Sequence, residues 1–213
     1  HAKVIVDIIE KQGKYNIVGF INEFSSDNIV IHGYKVLGNE FSLKDIISSN
    51  KVYGGIIGIG DNFQRLNCRN KIIKLMPKFK FINCIHPHSI VGKEVTFGIG
   101  NVVMAGAIIN SSTIIKDHCI LNTNSSIDHD SLISDFVSIA PNVGIGGNVK
   151  IGNYSSIGIG ANIFHNVTVG NNCIIGGGSL VCNNTIANSV YYGSPSKSVS
   201  YTHLRAHETP EHL

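Results

Sequence analysis

A small α/β domain followed by a left-handed parallel β-helix is the fold class that the sequence predicts. Three observations indicate it: from residue 85 an apolar residue recurs every six positions, a small residue follows each one four positions later, and glycine and asparagine recur between them. Before residue 85 this repeat is absent, and apolar segments alternate with amphipathic ones. We therefore divide the chain into an α/β domain (1–84), a β-helix (85–199) and a tail (200–213).

The apolar series defines the β-helix. It begins at Ile85 and steps by six, without a break, to Val181. A period of six is neither the 2 of a strand nor the 3.6 of an α-helix, so it indicates a short strand plus a turn, repeated. Three such hexads close one triangular coil, with the apolar residue inside. Successive coils are expected to stack at the parallel-strand spacing of about 4.8 Å.

The other two series describe the corners of the coil. The small series runs from Ser89 to Thr185 and lets the chain pass close to each corner, with Asn101 its one larger member. Cys119 and Cys173 belong to this series, so we predict that both thiols pack in the core and take no part in catalysis. Glycine and asparagine stand three residues after many of the apolar residues, and they tolerate the left-handed backbone that a tight corner needs.

The first 84 residues read as alternating helices and short strands. The pattern predicts helices over Ala2–Gln12, 43–48 and 61–76, and strands over 16–21, 55–59 and 79–85. This alternation favours a small α/β domain with a parallel sheet. The sequence starts within the first helix, so we expect a Rossmann-like domain without its first strand.

Composition excludes several classes of protein. The chain has 213 residues, of which 43% are hydrophobic and 15% charged, which is unlike a disordered chain. Its formal charge of +3 comes without a long basic run, which argues against nucleic-acid binding. No apolar run reaches the length of a membrane span. The five cysteines follow no metal-binding spacing and suggest free thiols in the cytoplasm.

The tail, residues 200–213, shows neither the six-residue repeat nor any helical or strand periodicity. Residues 201–213 contain three histidines, which would also suit a metal-binding segment. The interpretation that we favour is an unstructured extension outside the native fold, and no functional argument is based on it.

Eight segments carry a resemblance to a known family. They are His1-Ala2-Lys3-Val4, Gly58-Ile59-Gly60-Asp61-Asn62, Ile85-His86-Pro87, Leu121-Asn122-Thr123, Asp128-His129-Asp130, Gly147-Asn148-Val149-Lys150-Ile151-Gly152, Ile175-Gly176-Gly177-Gly178 and Gly193-Ser194-Pro195-Ser196-Lys197. In these segments the chain resembles the NeuD/PglD-type sugar acetyltransferases over nearly its whole length. The hexapeptides alone say little about function, and the Asp128-His129-Asp130 segment is the most specific of the eight.

The resemblance implies a cofactor, an acceptor and an assembly. Acetyl-CoA is expected in the groove between neighbouring coils of a homotrimer, and no metal is expected. The acceptor is expected to be a nucleotide-linked amino sugar or sialic acid. By resemblance, Gly147, Ile159 and Gly177 contact the cofactor. Ser138 stands where some members have a second histidine, so that a cofactor contact there is lost or passes through water.

The resemblance also assigns acceptor-binding residues in the α/β domain. They are His1, Asn22, Glu23 and Gly60. Asn22 and Glu23 follow a predicted strand, where α/β folds bind ligands. The family often has acidic residues at both of these positions, and ordinary loop polarity is the alternative interpretation.

His129 is the residue best suited to acid–base chemistry. Transfer of acetyl from a thioester needs a deprotonated nucleophile, and imidazole accepts protons near neutral pH. Flanking carboxylates stabilise imidazolium, and by resemblance Asp130 is the partner that does so. The alternatives are a surface-turn histidine and a corner aspartate. Three hexads per coil place Gly147 one coil beyond His129, where a missing side chain leaves room for a thioester and exposes an N–H for an oxyanion.

The predicted mechanism is direct transfer, because no serine or cysteine stands beside a base as an acyl-enzyme would need. Three alternatives stay open at this stage. One is a metalloenzyme of the γ-carbonic-anhydrase type, in which His129 and His165 would bind zinc, although the position of its third histidine is Gly170. Another is a non-catalytic trimeric scaffold, and the last is acetyl transfer to serine-like or xenobiotic acceptors.

Overall fold

The computed structural model describes residues 1–22 and 29–199, apart from the side chain of Glu40. The predicted tail, residues 200–213, and the predicted acceptor residue Glu23 therefore lie outside the described residues.

The C-terminal domain is the predicted left-handed β-helix, a triangular prism with three parallel sheets as its faces. The first face contains Cys84–Ile85, Val102–Val103, Ile120–Leu121, Ser138–Ile139, Ser156–Ile157, Ile174–Ile175, Val190–Tyr192 and Lys197–Val199. The second contains Ile90–Val91, Ile108–Ile109, Ser126–Ile127, Gly144–Ile145, Asn162–Ile163 and Leu180–Val181. The third contains Thr96–Phe97, Ile114–Ile115, Leu132–Ile133, Lys150–Ile151 and Thr168–Val169.

In the regular coils, each strand residue pairs with the residues 18 positions before and 18 positions after it in the chain. Leu121 pairs with Val103 on one side and with Ile139 on the other, as three hexads per coil require. The apolar series points inward: Ile109, Ile115, Leu121, Ile133 and Ile151 are fully buried. Burying these aliphatic side chains, at about 1.5–3 kcal/mol each, is the main stabilisation of the prism. Cys119 and Cys173 are also fully buried, so the prediction that both pack in the core is confirmed.

The two ends of the prism depart from the regular pattern. Val91 in the first coil is 42% exposed, because no further coil stacks beneath it. At the other end Ile175 pairs with Tyr191, a step of 16 instead of 18 residues. The last strand, Lys197–Val199, then turns back antiparallel to Val190–Tyr192.

The corners adopt the left-handed conformation that their composition predicts. Gly106, Asn124, Asn142 and Asn166 have φ values of 71°, 56°, 57° and 61°. Asp130 stands at an equivalent position with a φ of 59°. We name the corners by the faces they join: the first corner joins faces one and two, the second joins faces two and three, and the third joins faces three and one.

The α/β domain contains helices α1 (Ala2–Gln12), α2 (Leu43–Ser49) and α3 (Asn62–Leu75), and a short 3₁₀ helix, Glu40–Ser42. Its strands are β1 (Phe20–Ile21), β2 (Val30–Ile31) and β3 (Tyr34–Gly38). The predicted helices are confirmed. Helix α3 begins where Asp61 accepts a hydrogen bond from the Gln64 N–H at 2.8 Å, a standard N-cap.

The predicted parallel sheet needs correction. β1 runs parallel to β3, but β2 is antiparallel to β3 and makes a hairpin with it that was not predicted. The hairpin turns at His32 and Gly33, both with positive φ, as a two-residue turn requires. The predicted strands over 55–59 and 79–85 reduce to one parallel bridge between Gly55 and Phe81, followed by Cys84–Ile85.

The two domains pack closely on the first face and the third corner. Helix α1 buries Ile5, Ile8 and Ile9 against Val102 and Ile120, outward-facing residues of the first face. At the third corner, rings stack one coil above another, from His118 through Phe136 to Tyr154. Phe81 meets this column at His118, and Phe63 of α3 stacks on Tyr154.

Candidate active site

His129 lies on the second corner of the prism and is held by the two aspartates that flank it. Its Nδ1 is 2.7 Å from Oδ2 of Asp130, and its backbone N–H donates to Oδ1 of Asp128 at 2.8 Å. Asn110, one coil earlier, donates to the same Asp128 oxygen at 2.9 Å. The left-handed backbone at Asp130 directs its carboxylate back towards the ring.

The electrostatics of this corner favour a basic histidine. The hydrogen bond to Asp130, and then the charge of Asp128, raise the pKa of His129. The pKa of Asp128 is lowered by its hydrogen bonds from Asn110 and from the His129 N–H, so this carboxylate stays negative. Both side chains of the His129–Asp130 pair are about 60% exposed, which leaves the imidazole accessible to a substrate.

Gly147 lies directly against the imidazole, as the 18-residue register predicts. A Cβ built on Gly147 would be 2.9 Å from both Cε1 and Nε2 of His129. The missing side chain therefore leaves the ring edge open on this side. Within the described residues, the Gly147 N–H donates no hydrogen bond, while its carbonyl accepts one from Asn166 at 2.9 Å.

Ile159 and Gly177 lie on the first corner, away from His129 in the same protomer. They stack one coil apart: a Cβ on Gly177 would be 3.2 Å from Cγ2 of Ile159. Ile159 is 60% exposed, which is unusual for a large aliphatic side chain. One protomer therefore presents two predicted cofactor residues on one corner and the predicted base on the next.

Ser138 lies on the first face and points towards the α/β domain. Its hydroxyl donates to Asn62 Oδ1 at 2.6 Å and accepts from Arg65 at 3.2 Å. It is therefore paired with helix α3 of its own chain and is separate from His129 in the same protomer.

The structure brings two of the predicted acceptor residues together. A Cβ on Gly60 would be 4.0 Å from the Cβ of His1. Asn22 follows β1 and is exposed, and its N–H donates to the Gly38 carbonyl at 3.1 Å. Within residues 1–22 and 29–199, no hydrogen bond joins Asn22 to His1 or Gly60, and Glu23 is not among the described residues.

The chain is similar to known proteins over both domains. The family described as the PglD N-terminal domain matches residues 1–72. A mutant of perosamine N-acetyltransferase from Caulobacter crescentus, solved with CoA and GDP-perosamine, is 27% identical with a TM-score of 0.87, and the match covers 94% of this chain and 93% of that one. The acetyltransferase domain of PglB from Neisseria gonorrhoeae is 29% identical with a TM-score of 0.85, over 93% and 95%.

The resemblance to the NeuD/PglD-type sugar acetyltransferases is therefore confirmed. WeeI from Acinetobacter baumannii shares the fold with a TM-score of 0.78 at 23% identity, over 92% of this chain and 93% of that one. No curated protein sequence matches the chain. Across residues 1–22 and 29–199, no three His, Cys, Asp or Glu side chains are grouped as a metal site would require. In the same part of this acetyltransferase, no helix is both long and apolar enough to cross a membrane.

Two sets of contacts near the candidate site were not predicted from the sequence. Asn110 donates a hydrogen bond to Asp128 from the preceding coil. The two residues are 18 positions apart, so the repeat alone could have predicted that they lie in line. Arg65 and Asn62 connect α3 to the prism, and no periodicity signals such a contact, because their partners are 53 to 94 positions away.

Proposed function

We propose that the protein transfers acetyl from acetyl-CoA to the amino group of a nucleotide-linked sugar. The observation that carries this proposal is the space that Gly147, without a side chain, leaves beside the Asp130-paired imidazole of His129. The similarity to an N-acetyltransferase solved with CoA and GDP-perosamine, and to a PglB domain solved with acetyl coenzyme A, supports the same reaction.

The proposed mechanism uses each nitrogen of His129 differently. Nδ1–H donates to Asp130, which orients the ring and leaves the Nε2 lone pair free to accept a proton. As the sugar nitrogen attacks the thioester carbonyl, Nε2 takes the proton from that nitrogen. The C–S bond then breaks, and the imidazolium returns the proton to the CoA thiolate. The unpaired Gly147 N–H is the proposed donor to the oxyanion that forms at the carbonyl oxygen.

The position of the predicted cofactor residues supports a proposed homotrimer. Ile159 and Gly177 occupy a different corner from His129, so a single protomer cannot place all three around one thioester. When the first corner of one copy meets the second corner of another, the cofactor lies in the groove between them. Ser138 remains a predicted contact, made directly or through water, with cofactor held by such a neighbour.

The acceptor is proposed to bind to the α/β domain at His1, Asn22, Glu23 and Gly60. The closeness of His1 to Gly60 supports this assignment, while Asn22 and Glu23 rest on the family resemblance and on their position after a strand. A cytoplasmic location and a role in glycan biosynthesis are proposed on the same basis, since nucleotide-linked sugars and acetyl-CoA are the substrates.

Thiol release from acetyl-CoA tests the proposal. Wild-type protein is assayed with UDP-linked 4-amino sugars, GDP-perosamine, CMP-sialic acid and free sialic acid. We expect turnover with a nucleotide amino sugar, and a loss of about 10²–10⁴-fold in His129→Ala. His88→Ala, which changes an exposed histidine in the first coil, is the matched control. Turnover that survives in His129→Ala contradicts the mechanism, and turnover with none of the acceptors contradicts the proposed substrate class.

A further inference from the structure

Arg65 joins the two domains with a buried guanidinium. Its side chain is 1% exposed, although it belongs to a helix at the domain surface. In the α/β domain, Nη1 donates to the carbonyls of Ile59 at 3.2 Å and Gly60 at 2.8 Å. In the prism, Nε donates to the carbonyl of His118 at 2.9 Å, and Nη2 donates to that of Phe136 at 3.1 Å.

Asn62 completes the same network. Its Oδ1 accepts from Arg65 Nη2 at 2.9 Å and from the Ser138 hydroxyl at 2.6 Å. Its Nδ2 donates to the Tyr154 carbonyl at 3.0 Å and to Ser156 Oγ at 2.9 Å. Both ends of the short segment 59–62 are therefore held to the prism, one through Arg65 and the other through Asn62.

The acceptors of Arg65 are all neutral oxygens. Burial lowers the pKa of Arg65 to about 10, so the group is still a cation at neutral pH. A buried cation that donates only to neutral oxygens costs free energy, which the nearby charge of Asp61 offsets in part. A well-packed apolar side chain would serve stability as well or better. The guanidinium is a planar fork of N–H donors that point in fixed directions. Because these donors bond carbonyls of both domains, the guanidinium fixes the orientation of one domain relative to the other.

The segment that Arg65 holds is part of the proposed acceptor site. Gly60 faces His1, and a Cβ on nearby Gly58 would be 2.9 Å from that of Ala2, so the turn and the start of α1 are in close contact. Arg65 bonds the Gly60 carbonyl itself. A displacement of the guanidinium therefore moves the acceptor site relative to the prism that bears the catalytic corner.

We propose that Arg65 is a positioning residue for the acceptor. It fixes the Gly60 turn on the prism so that the bound sugar reaches the acetyl group in the productive geometry. This inference rests on the proposed function, since it assigns a role to the acceptor site named there. It adds a residue that contacts neither substrate and acts through the Gly60 carbonyl.

Kinetics of Arg65→Met and Arg65→Lys test the inference. In Arg65→Met we expect the KM for the nucleotide sugar to rise and kcat to fall, so that kcat/KM drops at least about tenfold, since misplacing a reacting group by 1 Å can slow catalysis by about 10²-fold. Arg65 also donates to Ser138, a predicted cofactor contact, so the dissociation constant for acetyl-CoA is measured as well. We expect it to rise less than the acceptor KM, because His129 and Gly147 are untouched. Arg65→Lys keeps the charge without the fork and gives an intermediate KM. Arg69→Met, one turn along α3, is the matched control, because Nη1 of Arg69 donates to Asn70 on the same helix at 3.2 Å.

Hydrogen exchange of the amides of residues 58–62 gives a readout that is independent of turnover. We expect faster exchange in Arg65→Met and Arg65→Lys than in Arg69→Met. A folded Arg65 variant with a wild-type acceptor KM and unchanged exchange would overturn the inference. If Arg65→Met does not fold, Arg65→Lys decides by the same two measurements. If the wild type accepts no nucleotide sugar, the proposed function fails, while the exchange data still decide whether Arg65 fixes the turn.

Discussion

The pair formed by His129 and Asp130 is the smallest unit on which function depends. Asp130 reaches Nδ1 because a left-handed corner, which asparagine, glycine and aspartate tolerate, turns its side chain back along the chain. Its hydrogen bond is the leading cause of the raised pKa of His129. A carboxylate in this position stabilises the imidazolium that forms during transfer.

Asp130→Asn is expected to separate orientation from basicity. The pKa of His129 falls when the carboxylate charge is removed, so the acidic limb of the kcat/KM profile moves to lower pH. The plateau also falls, by about 10–10²-fold, because the base is weaker and its tautomer is no longer fixed. The profile is measured against Asp7→Asn, which removes an exposed carboxylate from α1. An acidic limb that does not move would show that Asp130 is only a corner residue.

Gly147→Ala tests the open space beside the imidazole. The φ of Gly147 is not in the left-handed region, so alanine suits its backbone, but the new methyl would contact Cε1 and Nε2 of His129. We expect kcat to fall at least about tenfold, because the ring is displaced or the thioester is excluded. The melting temperature should change little. Steady-state kinetics and a thermal melt check this, and full activity in a folded variant would rule out a thioester at this position.

At the scale of the element, the two adjacent residues of each short strand point in opposite directions, one into the prism and the other towards its outer surface. Ile115 is fully buried in the prism, whereas Ile114 in the same strand is 40% exposed on the third face. Both belong to a strand of only two residues, so local propensity hardly differs between them. Their contributions to stability therefore report the packing alone.

Ile115→Ala is expected to cost about 2–5 kcal/mol of unfolding free energy, as large-to-small changes in a packed core do. Ile114→Ala, which makes the identical chemical change one residue earlier, should cost less than about 1 kcal/mol. Urea denaturation followed by far-ultraviolet circular dichroism measures both. Equal losses in the two variants would mean that the inward register is wrong.

At the scale of the whole molecule, the aromatic column at the third corner joins the two domains. His118 is 1% exposed between Phe81 of the α/β domain and Phe136 of the next coil. Within the described residues, neither ring nitrogen has a hydrogen-bond partner. Burial is the main cause that lowers the pKa of His118 to about 4, so the folded protein holds this ring neutral.

Stability is expected to depend on pH through His118. The unfolded chain binds a proton near pH 6.5 and the folded one only near pH 4, so stability falls as pH drops between these values, by up to about 3 kcal/mol. His118→Phe fits the aromatic column, removes two unpaired nitrogens and should abolish this loss. Urea denaturation at pH 7.5 and pH 4.5, with exposed His88→Phe as control, measures it. An unchanged pH dependence in His118→Phe would contradict the assignment.

The sequence alone predicted the architecture because the hexad is a local rule. The apolar and small series specify which side chains enter the prism, and the 18-residue register that follows places Gly147 against His129 before any coordinates exist. The helices of the α/β domain were also predicted, although only α1 is clearly amphipathic and α3 has almost no such periodicity. The same local reasoning missed the β2–β3 hairpin, because the signal of its turn, His32-Gly33, is weak.

Tertiary structure decided what the repeat cannot encode. The position of the α/β domain on the first face, the pairing of Ser138 with Asn62, and the buried fork of Arg65 all join residues more than 50 positions apart. The six-residue period determines how each coil aligns with the next, because every hexad places the same kinds of residue inside the prism and at its corners. Contacts between the domains occur once in the molecule, so only the folded chain reveals them.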